Sequence, residues 1–214
     1  MMRRDNVSRL GAIALVAGFV VLIGFLPERY KLAPQWLIYG NAAFCVSALA
    51  LSMFAPGPIR RRVARPAALA SLVLAIGLIL LALGRIVEDL MYEPKTLNAL
   101  SLFHTSVALW FGNILIFTIA YWLIDGGGPD ARTAGTAQYF DFDFPARSEP
   151  SKLPPGWQPT IMDYLFVAFT ANTSFGPTEA MPLTARAKAL MIAQSFISLV
   201  TIAGVAARAI GATG

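Results

Sequence analysis

Five long apolar runs dominate this sequence and restrict the folds that it can adopt. They lie at about Leu10–Leu26, Gln35–Phe54, Pro66–Val87, Ser101–Ile124 and Ala187–Ile210. Each is long enough to cross a bilayer as a helix, which takes about 20 residues. Only 14% of the 214 residues are charged, whereas a soluble domain usually has about 25%. The sequence therefore predicts an all-α membrane protein with about five transmembrane helices.

Turn-forming residues divide the chain into three parts. Residues 1–125 are expected to form a four-helix transmembrane scaffold, and residues 126–159 a polar connector rich in Pro and Gly. Because Gly126–Gly128 follow a helix, we interpret them as a helix stop and not as a nucleotide-binding loop. Residues 160–214 hold a short amphipathic stretch, Asp163–Thr170, and the last span. That stretch rises only about 12 Å as a helix, so it is either interfacial or re-entrant.

The basic residues indicate how the chain is oriented in a membrane. The net charge is +5, but the basic side chains flank apolar runs, which favours the lipid bilayer as partner and argues against nucleic acid. An N-terminus on the inner side satisfies the positive-inside rule. The inner set is then Arg3, Arg4, Arg9, Arg60, Arg61, Arg62, Arg65, Arg132, Arg147, Lys152, Arg186 and Lys188, and the outer set is Arg29, Lys31 and Lys95.

The C-terminal segment resembles the pore hairpin of two-transmembrane potassium-channel domains. Asp163–Glu179 contains a short aromatic stretch and then a Thr-rich turn with Phe175–Gly176. A helix through Arg208 comes after Pro182–Lys188. The channel family has the same order of pore helix, filter and lining helix. The resemblance therefore implies a short re-entrant pore-type helix before the last span.

The same resemblance implies a set of filter-like residues. Thr170 resembles the threonine near the end of the channel pore helix, and Asn172–Gly176 takes the place of the signature Thr-Val-Gly-Tyr-Gly. Ser174 stands where the first filter glycine is expected. Because glycines let carbonyls turn toward an axis at low cost, this filter would have a different shape. The filter-like residues are Thr170, Asn172, Thr173, Ser174, Phe175 and Gly176.

The last helix carries a polar stripe that allows two interpretations. In the first, the stripe lines a water-filled pore, Gly204 is a gate hinge, and Glu179 concentrates cations at the pore mouth. In the second, its Gln and Ser side chains form hydrogen bonds between packed helices, which is common in membranes. The residues are spaced alternately by four and three and so share one face: Gln194, Ser198, Thr201, Val205 and Arg208.

Over most of its length the chain resembles a family of uncharacterised bacterial integral-membrane proteins. Besides the hairpin, the resemblance rests on Leu26–Arg29, Trp110–Asn113, Tyr121–Asp125, Gly127–Pro129 and Asp143–Pro145. It implies a multi-pass protein of the bacterial inner (cytoplasmic) membrane. It brings no established activity with it.

The charge distribution and the channel resemblance leave the sidedness of the hairpin open. With four spans before it and the N-terminus inside, the hairpin enters from the cytoplasmic side, whereas in most pore-loop channels it enters from outside. Either the N-terminus lies outside against the charge distribution, or the hairpin is inverted as in glutamate-receptor channels. A miscounted span would also remove the conflict.

Further polar residues in the apolar runs are expected to face the bundle interior or to pair near its ends. Arg85 is expected to form an interfacial ion pair with Glu88 and Asp89. Asp125 is expected to terminate the fourth span, and Asp141 to lie in a solvated connector. The remaining candidates of this kind are Asn41, His104 and Asn113.

Neither catalysis nor a cofactor is expected. The chain has no nucleophile elbow, zinc-protease motif or phosphate-binding loop, and it has one histidine and one cysteine. We therefore expect no catalytic residues and no metal site.

The expected function is an oligomeric pore, most simply a homotetramer, that conducts monovalent cations, with potassium as the candidate ion. A single pore loop offers few oxygens, and an ion needs a full ring to replace its water shell. The alternative is a non-conducting membrane scaffold or accessory subunit. A small carrier is a third possibility, against which the lack of an inverted repeat argues.

Overall fold

The computed structural model describes residues 4–31, 33–92, 99–145, 157–173 and 180–211, and these residues are mostly helical. Short 3-10 turns span Glu28–Tyr30 and Asp125–Gly127, and a π-helical turn spans Arg60–Ala64. Two strands of two residues each, β1 (Phe142–Asp143) and β2 (Met181–Pro182), pair antiparallel. The helices are α1 (Arg4–Gly24), α2 (Gln35–Phe54), α3 (Gly57–Ile59), α4 (Arg65–Tyr92), α5 (Ala99–Ile124), α6 (Pro129–Thr133), α7 (Ile161–Asn172) and α8 (Ala185–Gly211).

Five of the described helices are long and apolar enough to cross a membrane. They are α1, α2, the continuous 36-residue helix from Gly57 to Tyr92, α5 and α8. Their outward side chains include Phe54, Val73 and Ile192, which are 85%, 70% and 69% exposed. Such an apolar surface is compatible with a multi-pass membrane protein, whose helices face lipid. The predicted long apolar helices are therefore confirmed.

The central helix of the bundle is α5. It packs against α1, α4, α7 and α8, and 78% of its most apolar window is buried, against 28–39% in the other four long helices. A helix that is hydrophobic on all sides has no face to present to water and is expected inside a bundle. Leu109, Phe117 and Trp122 of α5 are accordingly almost fully buried.

Ion pairs define two ends of the bundle. At the end that we call proximal, Asp130 lies 2.7 Å from the Arg9 guanidinium and 3.1 Å from that of Arg60. At the opposite, distal end, Arg29 lies 2.7 Å from Asp89. The helices α1 and α4 therefore begin at the proximal end, and α2 and α5 end there.

The helix α7 begins at the proximal end and runs inward along α5. Thr160 and Asp163 form a reciprocal capping box, in which the Thr160 N–H donates to the Asp163 carboxylate at 2.6 Å. Because this cap fixes the first turn, α7 begins two residues before the predicted stretch. In the first turn the Tyr164 hydroxyl donates to Asp125 at 2.6 Å. At the last residue, the Asn172 amide donates to the Trp110 carbonyl at 3.3 Å.

The chain returns to the proximal end after α7. In the pairing of β1 with β2, Phe142 lies opposite Pro182, and the Leu183 N–H donates to the Asp141 carbonyl at 2.8 Å. The helix α8 starts from there and packs against α4, α5 and α7. Residues 161–182 thus begin and end at the proximal end of the bundle, and α7 lies in contact with α5 and α8.

Candidate functional site

The candidate site surrounds the C-terminal end of α7, beside the middle of α5. The last four carbonyls of a helix have no partner within the helix, and burial without one is costly. Here other groups satisfy them. Thr173 donates to the Phe169 and Thr170 carbonyls through its hydroxyl, at 3.1 Å each. The Ser195 hydroxyl reaches the Ala171 carbonyl at 3.2 Å.

Two residues of the polar stripe on α8 also donate to carbonyls in the last two turns of α7. The Ser198 hydroxyl donates to the Asn172 carbonyl at 2.5 Å, and the Gln194 amide donates to the Ala168 carbonyl at 2.7 Å. Both side chains are at most 1% exposed. At these two residues the stripe therefore faces α7 and α5 within the protomer. This is the second interpretation of the stripe, in which its Gln and Ser side chains form hydrogen bonds between packed helices.

The helix α5 supplies three polar partners to the same cluster. The Tyr121 hydroxyl donates to the Gln194 side-chain oxygen at 2.5 Å, and the Trp110 indole donates to the Ser198 hydroxyl at 3.1 Å. The Asn113 amide donates to the Asn172 side-chain oxygen at 2.6 Å and to the Gln194 carbonyl at 3.0 Å. These bonds fix the positions of α7 and α8 along α5. They also give hydrogen-bond partners to polar side chains that are buried among apolar residues.

Among the described residues, one acceptor in the cluster has no donor. The side-chain oxygen of Asn113 is buried and has no hydrogen-bond partner there, and Asn113 itself is 0% exposed. A buried acceptor in this state keeps its full desolvation penalty. It belongs to the same side chain that donates to Asn172 at the end of α7.

The structure places the predicted site residues in two groups. Thr170, Asn172, Gln194, Ser198 and Thr201 are buried around or below the end of α7, and Thr173 is half-buried there. Their role in a filter or a pore wall stays a prediction. Gly204 lies against α4, where an added methyl group would come within 3.3 Å of Leu90. Ser174, Phe175, Gly176, Glu179 and the side chain of Arg208 lie outside the described residues.

Sequence reasoning missed part of this cluster. Asn113 was recognised as a polar residue that should face the interior, and it does. Trp110 and Ser195 have no role assigned from the sequence, and Tyr121, near the end of the fourth span, is expected at the headgroup level, whereas it is fully buried. Aromatic side chains with one polar group are ambiguous in an apolar run because they also occur as interfacial anchors. Only the packing of α5 against α8 identifies them as members of the cluster.

A second polar cluster lies at the proximal end, where three arginines satisfy the C-terminal carbonyls of α5. Arg132 of α6 donates to the Trp122 carbonyl at 3.0 Å and also to the carbonyl of Asp125. Arg65 of α4 donates to the Leu123 carbonyl at 2.9 Å, and Arg186 of α8 to the Ile124 carbonyl at 3.2 Å. Cations also interact favourably with the negative end of the helix dipole.

Asp125 follows α5 and is fully buried. One carboxylate oxygen accepts the backbone N–H groups of Asp141 and Phe142 at 2.7 and 3.2 Å, and the other accepts the Tyr164 hydroxyl. Asp125 therefore joins the connector and α7 to the end of α5. Its predicted role at the end of the fourth span agrees with this position.

The Asp141 side chain is buried, contrary to the expectation of a solvated connector. Arg186 donates two hydrogen bonds to it, both at 2.6 Å, and the Thr184 hydroxyl donates a third at 2.6 Å. Burial alone would raise the pKa of Asp141, but the bonds from Arg186 and Thr184 outweigh burial and hold the pKa below its usual value. The connector is thus packed onto the bundle here, because a charged partner 45 residues away folds against it.

The other polar residues singled out in the sequence lie away from both clusters. Asn41 and Ser71 bond each other between α2 and α4, with the Ser71 hydroxyl 2.9 Å from the Asn41 side-chain oxygen. Arg85 pairs with Glu88 at 2.8 Å and lies 3.6 Å from Asp89, as predicted. His104 is exposed on α5.

Within the described part of the chain, no group of three or more His, Cys, Asp or Glu side chains lies close enough to hold a metal ion. The comparisons with known proteins add no assignment: no protein-family profile, no curated protein and no solved structure matches the chain.

Proposed function

We propose that this chain is one subunit of an oligomeric pore that conducts monovalent cations across the bacterial inner membrane. The position of α7 carries the proposal. The helix starts at the proximal end and stops beside Asn113, about 17 Å along α5 from Ile124 at 1.5 Å per residue. That is about half of a hydrocarbon core of about 30 Å. In this proposal residues 161–182 form a re-entrant hairpin.

The direction of α7 favours a cation. The C-terminal end of a helix carries a partial negative charge, and in the proposed hairpin this end lies at the depth where an ion would lose its water. The side-chain oxygen of Asn113, which has no partner in the part of the chain that the structure describes, lies beside it. Irregular backbone at such a depth is tolerated where protein buries it or where it lines a water-filled cavity. The residues after Asn172 would form the filter.

A pore of this kind requires several copies of the chain. One turn supplies too few oxygens to replace a hydration shell, so a ring of carbonyls or hydroxyls from symmetric subunits is needed. We propose a homotetramer in which each subunit contributes Asn172–Gly176 and in which Glu179 lies at the mouth. Potassium is the candidate ion.

The second candidate is a non-conducting membrane scaffold or accessory subunit. The polar stripe on α8 favours this candidate, because Gln194 and Ser198 donate to carbonyls of α7 in the same protomer and so do not face a pore between subunits. The outward face of α8 is apolar, with Phe196 and Leu199 about 60% exposed. In this alternative the hairpin only packs against the bundle or a partner.

A flux assay separates the two candidates. Purified protein in liposomes is expected to pass monovalent cations, and Gly176→Ala or Phe175→Ala is expected to abolish the flux. Phe103→Ala is the matched control, because Phe103 is an exposed residue of α5 and its loss should leave the flux unchanged. Native mass measurement should give a tetramer.

Two results would contradict the pore. Flux that persists in both filter variants would show that the turn is not the conducting element. A monomer that passes no ions would favour the scaffold instead.

A further inference from the structure

We infer that a polar pocket at the proximal end of the bundle binds a phosphate group. The pocket has a volume of about 240 Å³ and lies between the start of α4, the glycine turn after α5, the connector and the start of α8. Its lining includes Arg65, Arg186, Gly127, Thr136, Gln138 and Tyr139. This site is separate from the end of α7, and the inference does not depend on ion conduction.

The pocket has an excess of positive charge. Arg65 and Arg186 both line it, and Arg65 is close enough to Arg186 and Arg132 for the like charges to repel one another. Among the described residues no carboxylate lines the pocket. Asp141, which pairs with Arg186, has its carboxylate oxygens occupied by Arg186, Thr184 and the Gly126 N–H. An anion in the pocket would relieve this repulsion.

Arg65 keeps donors for a ligand. Its Nε donates to the Leu123 carbonyl, and within the described chain its guanidinium makes no ion pair with a carboxylate. The terminal nitrogens of such a guanidinium form a planar fork that matches the oxygens of a phosphate. The Leu123 carbonyl thus orients the Arg65 side chain, and the positive charge of Arg65 is not neutralised by this bond.

Neutral donors complete a site for oxygens. Gln138 and Tyr139 are exposed residues on the pocket wall, and the Arg186 guanidinium stacks over the Tyr139 ring at 5.3 Å. Arg61 reaches the Thr136 hydroxyl at 3.3 Å, which brings a further cation to the rim. Gly127, at φ 81°, also lines the pocket, and a methyl group added there would come within 3.2 Å of Ala131, which lies on the same wall.

The phosphate has two chemical sources, a phospholipid headgroup or a free phosphate ion. Arg65 and Arg186 lie at the ends of two of the helices that are long and apolar enough to cross a membrane. If those helices span, the pocket lies at the height of the headgroups. The lipid source therefore rests on the membrane assignment, and the experiment treats the two sources separately.

The test uses full-length protein in detergent micelles. Binding of phosphatidylglycerol is measured by native mass spectrometry, with monoglucosyl diacylglycerol as the phosphate-free lipid. Binding of inorganic phosphate is measured by calorimetry, and phosphate is also tested as a competitor of the lipid. Gln138→Glu places a carboxylate in the pocket while leaving the arginine caps of α5 intact. Ala134→Glu adds the same charge on an exposed residue that does not line the pocket.

We expect Gln138→Glu to weaken phosphate or phosphatidylglycerol binding at least tenfold and Ala134→Glu to change it less than twofold, with no loss of melting temperature in either variant. Lipid binding without binding of the free ion identifies a headgroup site, and binding of the free ion identifies a soluble-phosphate site. The inference is overturned if neither probe binds, if the phosphate-free lipid binds equally well, or if the two glutamate variants behave alike.

Discussion

At the scale of single residues, the cluster at the end of α7 shows why a polar stripe can occur on a long apolar helix. Backbone carbonyls at the end of a short helix need donors, and inside a bundle only neighbouring side chains can supply them. Ser195 and Ser198 do this from α8, and Gln194 donates to the Ala168 carbonyl, which lies just before the last four. Gln194 and Ser198 are four residues apart and so share the face of α8 that meets the end of α7.

Gln194→Leu is expected to lower the free energy of unfolding by about 1–2 kcal/mol. The substitution preserves the shape of the side chain approximately but removes the partner of the Tyr121 hydroxyl and of the Ala168 carbonyl. Thr201→Val is the control, because among the described residues the Thr201 hydroxyl bonds to Ile197 of its own helix and to no other helix. Denaturation in mixed micelles measures the free energy of unfolding of both variants. Equal losses in the two variants would show that the bonds between helices contribute nothing specific.

At the scale of elements, two helix ends are satisfied by different chemistry. The proximal end of α5 is capped by the charged side chains of Arg65, Arg132 and Arg186, whereas the end of α7 is capped by neutral hydroxyls and amides. A charge deep among apolar helices is costly, but near the end of the bundle it can remain partly solvated. Charged caps therefore occur on the helix end that lies at the end of the bundle, and neutral caps on the helix end that lies inside it.

The pair of Asp141 and Arg186 is expected to make stability depend on acid. Because the folded-state pKa of Asp141 is lowered, its contribution is fully present above the ordinary pKa of about 3.9 and is lost as the pH falls through the folded value. Melting temperatures in detergent from pH 7 to pH 3 measure this loss. Asp141→Asn should cost about 1–2 kcal/mol at pH 7, since it removes the negative charge that Arg186 pairs with, while Arg186 is 42% exposed and keeps its bond to the Ile124 carbonyl.

The same variant should also remove part of the acid-induced loss. Asp143→Asn is the control, because Asp143 is exposed two residues further along and should behave like the wild type. If Asp141→Asn retained the complete acid dependence, other carboxylates would have to cause it.

Local signals determined how much of the fold could be predicted. The long helices follow from uninterrupted apolar runs, and α2 begins and ends at the predicted residues Gln35 and Phe54. The start of α7 is determined by the capping box of Thr160 and Asp163, which places the first helical residue two positions before the predicted stretch. The partners of Asp141 and Gln194 were out of reach, because they lie 45 and 73 residues away and depend on how the helices pack.

At the scale of the whole molecule, charge is distributed unevenly between the two ends. In the described residues the proximal end holds Arg9, Arg60, Arg65, Arg132 and Arg186. Basic residues in short loops favour the cytoplasmic side of a membrane. The ion pairs of Asp130 with Arg9 and Arg60 place the start of α1 at the same end as the base of the hairpin. The charge distribution and the chain path thus predict a hairpin that enters from the cytoplasm.

Cysteine labelling in intact cells tests this sidedness. Cys45 is free and buried, so Cys45→Ala provides a background in which Ala134→Cys marks the proximal end and Tyr92→Cys the distal end. A membrane-impermeant maleimide should label Tyr92→Cys directly but Ala134→Cys only after permeabilisation. The reverse pattern would place the base of the hairpin outside, as in most pore-loop channels. The arginines of the proximal end would then owe their position to capping α5 and pairing with Asp130 and Asp141, and not to the orientation of the chain.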